Sequence, residues 1–199
     1  MAHVQKPVNR IMLISTYDEN ENIGVNTVNC LYLEDTNYDL KSILIILNSE
    51  LISWFAYHFI YNDAIRSMDF YDFFISKIPI PNLLSNYQPL LNFICEGLLF
   101  INKNSKFEHY LEQLSFIANL VVFELYFKNE SKSNLNQLLQ KEISKTYKIN
   151  QNISIKAIES FVELLDLDEI KKQLAFIVNT PFFNKTTNFV FQNNEFIKK

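Results

Sequence analysis

The sequence predicts an α+β protein: a small, mainly antiparallel sheet packed on a long helix, followed by a helical C-terminal region. Three observations carry this. Residues 10–17 (RIMLISTY) and 23–33 (IGVNTVNCLYL) are rich in β-branched residues and partly alternate, and the polar cluster Asp18-Glu19-Asn20-Glu21-Asn22 between them has the composition of a hairpin turn. Leu40, Ile43, Leu44, Leu47, Leu51, Trp54, Phe55 and His58 then recur at helical spacing. From Gln88 onward the apolar residues form helical stripes almost throughout.

Taken in order, Asn37-Tyr38-Asp39 offers an N-cap for the first helix, which the spacing extends to about five turns. Residues 62–72 are polar and aromatic and read as a loop carrying Arg66. Residues 73–78 read as a short strand closed by Pro79-Ile80-Pro81, because neither proline can donate to a ladder. Pro89 suits the first turn of a helix whose stripe is Leu90, Leu91, Ile94, Leu98 and Ile101. A longer helix over 107–127 carries Tyr110, Leu111, Leu114, Ile117, Ala118, Val121, Val122 and Leu125. A weaker one covers 134–147. Ser154 caps another that runs to Leu165, and Asp168 opens the last, which ends near Val178 before Pro181. Residues 182–197 suggest no element. The chain divides into an α+β part, 1–81, and a helical part, 82–199, with a further candidate boundary near 129–134.

Composition narrows the chemistry. Of 199 residues, 48% are hydrophobic, enough for a packed core. Only two are glycine, Gly24 and Gly97, so a phosphate-cradling loop or a dinucleotide fingerprint has no material to be built from. Cys30 and Cys95 lie in apolar stretches and read as small buried hydrophobes rather than as a disulfide. The first nine residues do not resemble a signal peptide. The apolar stretch 44–60 is interrupted by Asn48, Ser49, Glu50, Ser53 and His58, which argues against a membrane span. A soluble cytoplasmic chain is the expectation. His3, His58 and His109 pair with nothing at metal-ligand spacing, and His58 falls on an apolar stripe as a core histidine would. No nucleophile, base or metal cluster can be assembled, so no catalytic, cofactor or metal site is expected.

One segment imitates a catalytic motif. Asn179-Thr180-Pro181-Phe182-Phe183 is similar to the Asn-Pro-Pro-aromatic motif of amino-group DNA methyltransferases, whose side chains hold a flipped base. Thr180 stands where that motif has proline, and no glycine follows Gly97 to form a methyl-donor loop. The segment therefore reads as a helix stop followed by packed phenylalanines.

The informative stretch is 38–81, YDLKSILIILNSELISWFAYHFIYNDAIRSMDFYDFFISKIPIP. An apolar helix with a central Leu47-Asn48-Ser49 leads through a polar, aromatic linker and a strand into Pro79-Ile80-Pro81. This resembles the C-terminal specificity domain of TaqI-like DNA methyltransferases, including fused restriction-methylation enzymes, and type I specificity subunits show a related pattern. The flanks agree: Lys6 to Leu13 followed by Thr16-Tyr17-Asp18, Gln88 after the prolines, and Val121-Val122-Phe123-Glu124-Leu125-Tyr126, which resembles the closing Glu-Leu-Tyr helix of these enzymes. The aspartate that opens that motif is replaced here by Asn119 or by nothing. The resemblance covers 6–127.

It implies a DNA target-recognition domain, without a catalytic site of its own, whose parent is a restriction-modification N6-adenine DNA methyltransferase or a restriction enzyme. Its partners would be double-stranded DNA and a methyltransferase domain or subunit, with no membrane. S-adenosylmethionine would belong to that methyltransferase domain, with no cofactor in this chain. The candidate DNA contacts are Lys6, Arg10, Asn20, Asn22, Asn26, Thr27, Asn62, Arg66, Ser67 and Lys77. Asn pairs with adenine and Arg with guanine in the major groove. The competing roles are turn formation for the hairpin asparagines and an ion pair with Asp63 or Asp69 for Arg66. Asn48 and Ser49 read as side chains that bond a neighbouring loop rather than DNA.

Charge opposes the resemblance. The net charge is −4, the wrong sign for a free-standing nucleic-acid binder. Residues 1–81 hold five basic residues (Lys6, Arg10, Lys41, Arg66, Lys77) against ten acidic ones, a net −5, and the remainder is +1. Either a methyltransferase domain supplies the phosphate contacts while this piece reads bases, or the chain is a helical protein–protein interaction module or degenerate remnant docked onto a partner subunit.

Overall fold

The computed structural model describes residues 3–5, 10–18, 29–32, 37–62, 72–147 and 152–186. Among the described residues the β structure is one ribbon, β1 (His3–Gln5) antiparallel to β2 (Arg10–Met12), with Val4 opposite Ile11. The expected α+β fold, with a small sheet packed on a long helix, is thereby overturned: the described residues are overwhelmingly helical. Residues 13–18 and 29–32 join no ladder. The expected strand over 73–78 is instead mostly a short helix, α3 (Asp72–Ile75), and turn. A brief apolar run has no period long enough to separate strand from helix, so tertiary packing decides. The hairpin turn and most of the second expected strand, residues 19–28, lie outside the described residues.

The expected single helix is two. In α1 (Leu40–Leu47) the Asp39 carboxylate accepts from the Lys41 N–H at 2.8 Å, the cap its sequence suggests. Asn48 then ends the helix and Ser49 turns extended (φ −73°, ψ 150°), its hydroxyl accepting from the Ile52 N–H to start α2 (Glu50–Phe55). The two meet at a bend of 57°. Short polar side chains that compete for main-chain bonds produce this break although the apolar spacing runs straight through it. A π-turn, Ala56–Ile60, comes next and is closed by the Tyr61 N–H on the Ala56 carbonyl at 3.0 Å. Its wider winding shifts these residues off the helical register, so His58, expected in the core, is exposed.

Behind lie α4 (Gln88–Lys103), α5 (Leu111–Tyr126), α6 (Lys128–Ser131), α7 (Leu135–Thr146), α8 (Ile155–Leu164), α9 (Asp168–Val178) and α10 (Phe183–Thr186). Short 3₁₀ helices, Asn82–Asn86 and Ser105–Tyr110, precede α4 and α5. Ser154 caps α8 through the Ala157 N–H at 3.3 Å. The central element is α5, apolar around most of its circumference and buried from Phe116 to Ala118 and from Leu120 to Leu125. α2, α4, α7 and α9 all pack on it, and α1 packs on α4. One core therefore runs from Leu13 in the front to Phe183 near the end. The segment after Pro181 belongs to it: Phe182 meets Trp54 and Phe127 with ring centroids 5.2 and 5.1 Å apart, and Phe183 is buried edge-on against Phe123. Cys95 is buried as expected, but Cys30 is exposed, because residues 29–32 all face solvent. No single described helix is long and apolar enough to cross a membrane.

Candidate nucleic-acid interface

β2 continues into the segment 13–18, which joins no ladder, alternates in burial from residue to residue, and lies along helices rather than strands. The Leu13 N–H donates to Ser53 Oγ at 3.2 Å. The Ser15 N–H donates to Asn48 Oδ1 at 2.8 Å, and Asn48 Nδ2 donates back to the Ser15 carbonyl at 3.1 Å and to the Leu44 carbonyl at 3.0 Å. The Asn48 carboxamide thus does what a peptide group of a neighbouring strand would do. It can, because the break after α1 leaves it at a helix end. Asn48 bonds a neighbouring segment, the role the sequence suggests, whereas the Ser49 hydroxyl bonds only its own helix ends, donating to the Ile46 carbonyl and accepting from the Ile52 N–H. Along the segment Leu13 is buried, Ser15 and Tyr17 are half-buried, and Ile14, Thr16 and Asp18 are exposed.

Contacts run from β2 through the π-turn to α3. β2 packs on α2 and on the π-turn, which exposes His58 and Phe59. Asn62 lies just beyond, exposed and left-handed at φ 49°, a backbone that asparagine tolerates better than most residues. The Tyr61 ring lies 5.0 Å from Phe74 of α3. Lys77 is exposed, its ammonium 4.0 Å from the centroid of the exposed Phe73 ring. Of the sequence-derived candidates, Arg10 lies in β2 opposite Gln5, and Asn62 and Lys77 sit as just described. Lys6, Asn20, Asn22, Asn26, Thr27, Arg66 and Ser67 fall outside the described residues. Lys41 is engaged elsewhere: its ammonium is 2.8 Å from Glu96, which also accepts from the Tyr147 hydroxyl. Burial pulls the Lys41 pKa down, but the bond and the charge of Glu96 outweigh it and leave the ammonium more firmly protonated than usual.

Several residues of the resembling motifs tie elements together behind this surface or in the rear helices, in roles the sequence left unassigned. Asn119 Oδ1 accepts from the Glu50 N–H at 2.8 Å and so caps α2 from α5. The Tyr126 hydroxyl donates to the Pro79 carbonyl at 2.5 Å, fixing the exit through Pro79-Ile80-Pro81; burial raises its pKa, so it stays a donor. Gln88 Nε2 donates to the Asn37 carbonyl at 2.9 Å, just ahead of α1. Glu124 is wholly buried and accepts from the Tyr87 hydroxyl (3.3 Å), Lys128 Nζ (2.8 Å), Ser133 Oγ (3.3 Å) and the Asn136 N–H (3.1 Å). Burial, and then the charge of Glu124, push the Tyr87 pKa up. The available signal was Glu124 itself, the one charged residue in the apolar run 114–126.

Among the described residues, no group of three or more His, Cys, Asp or Glu gathers as a metal site. Residues 4–80 match the family model of the TaqI-like C-terminal specificity domain. No curated protein and no solved structure matches the chain.

Proposed function

We propose, on the premise that residues 4–80 are a TaqI-like C-terminal specificity domain, that this chain recognises the DNA target of a restriction-modification methyltransferase and does no chemistry itself. The family match is the observation that carries the reading. Methyl transfer, and S-adenosylmethionine with it, would belong to a methyltransferase domain or subunit. The stretch from the π-turn to α3 supports the assignment, since the exposed Asn62 and Lys77 lie along it, and β2, which packs on the π-turn, carries Arg10. The adjoining segments carry Lys6, Asn20, Asn22, Asn26, Thr27, Arg66 and Ser67 as further candidate readers.

The charge assigns the labour. With a net −5 over residues 1–81 and Lys41 committed to Glu96, this part has few cations for phosphates. Base edges are then its share of the work, and phosphate neutralisation the methyltransferase's. The test is competition binding on a library of randomised duplexes, wild type against Arg66→Ala. Relaxed preference at one position identifies a base contact, worth about 1–3 kcal/mol of discrimination. A uniform loss with a shallower salt slope identifies a phosphate contact. No sequence preference in the wild type refutes the reading. It would favour a helical interaction module instead, for which the exposed Leu167 at the start of α9 and Phe176 within it offer apolar surface.

A further inference from the structure

We infer that Ile14 and Thr16 form the row of side chains that meets the major groove, reading thymine methyl groups, and that Asn48 and Ser53 are the positioning residues that aim it; this rests on the DNA-recognition reading above. The segment 13–18 is gripped on one side by three hydrogen bonds, all to the main chain of residues 13 and 15. Successive side chains of an extended chain point to opposite faces. The grip therefore selects a register: Leu13 goes into the core, Ser15 and Tyr17 lie against the helices, and Ile14, Thr16 and, at the end of the segment, Asp18 point out. Ile14 is 58% exposed, although it adjoins a buried leucine and continues directly from the β1–β2 ribbon. Apolar groups and threonine are side chains that contact the thymine methyl in the major groove. Such a reader needs no cation, which agrees with the acidic balance of residues 1–81. Asn48 is itself held in place by the Leu44 carbonyl at the end of α1, so the aim of the row is set by the helix break.

The test uses the full chain. A randomised duplex library first gives the preferred sequence. Each thymine in it is then replaced by deoxyuridine, which removes the 5-methyl group and nothing else. Wild type should lose about 4-fold in affinity per methyl read, the value of one buried methyl-sized group. Ile14→Ala should bind the thymine and uracil duplexes more nearly alike, with its melting temperature unchanged because Ile14 contributes little to the core. Asn48→Ala, which releases Ser15, should also flatten the thymine-to-uracil ratio, although Ile14 and Thr16 remain. Asn48→Asp keeps the acceptor for the Ser15 N–H and should restore part of the ratio. Equal wild-type affinity for thymine and uracil at every position overturns the inference, as does an Ile14→Ala variant with the full wild-type ratio. A folded Asn48→Ala variant with the wild-type ratio overturns the positioning role. A wild type with no sequence preference at all would instead remove the DNA-recognition reading, and the inference with it.

Discussion

Replacing Lys128 by methionine should destabilise the protein more than replacing Glu124, the charge it neutralises, by glutamine. Glu124 is wholly buried, and its four donors are three neutral groups and one ammonium. Without Lys128 a buried carboxylate keeps only the Tyr87 hydroxyl, the Ser133 hydroxyl and the Asn136 N–H. Breaking a fully buried pair from one side costs about 3–5 kcal/mol. The Lys128 side chain is 30% exposed, so water screens part of the loss, and about 2–3 kcal/mol is expected. Glu124→Gln removes the charge and keeps the shape. Lys128 keeps its bonds to the Ser133 carbonyl and Asn134 Oδ1, and the amide oxygen still accepts, so about 1–2 kcal/mol is expected. The double variant has no buried charge and should be more stable than Lys128→Met alone, with a coupling of about 1–2 kcal/mol. Urea unfolding at 25 °C and neutral pH, followed by far-UV circular dichroism, measures all three from the midpoints at constant m. A Lys128→Met variant within about 0.5 kcal/mol of wild type, or a strictly additive double variant, would refute the reasoning.

The other expectations concern how far the core reaches. Phe183→Ala should cost about 3–5 kcal/mol, because Phe183 is buried against Phe123; a loss below about 1 kcal/mol in the same urea assay would detach the tail from the core. A fragment of residues 1–81 should melt without a cooperative transition, since α1 packs on α4 and α2 on α5; a sigmoidal melt from that fragment would show that the front stands alone. Burial pushes the Cys95 thiol up to about 12, whereas Cys30 is exposed. At pH 8 a thiol-reactive disulfide should therefore label one cysteine per folded chain, and the second only in denaturant, because the reacting species is the thiolate. Two thiols reacting at equal rates in the folded chain would contradict the burial of Cys95.

What the sequence disclosed depended on how locally each feature was determined. The rear helices α7, α8 and α9 are amphipathic and bounded by residues that stop or cap them, such as Ser154 and Pro181, and they lie within a residue or so of their expected positions. The break between α1 and α2 was hidden because the apolar spacing continues across Asn48 and Ser49. Nothing in the residues announces the π-turn that puts His58 outside. The alternation over 13–17 was genuine and was read too far. It reports an extended chain with one covered face, and here the cover is the side chains of two helices rather than a second strand. The candidate surface was legible as composition: polar side chains beside an apolar helix, in a segment with a recognisable pattern. The cap from Asn119, the tie from Tyr126 to Pro79 and the cluster around Glu124 were not, because each joins residues far apart in the chain, and only the folded path brings them together.

Asn48 and Ser53 grip only main-chain atoms of the segment they hold. The side chains at 14 and 16 take no part in that grip, so substitutions there leave the anchorage intact. A lineage could change what this strip displays one residue at a time and keep each intermediate as well folded as the one before. The restriction lies at the anchored positions: proline at 15 is barred, having no N–H to offer Asn48. Such a design separates the inheritance of the scaffold from the inheritance of what the strip displays.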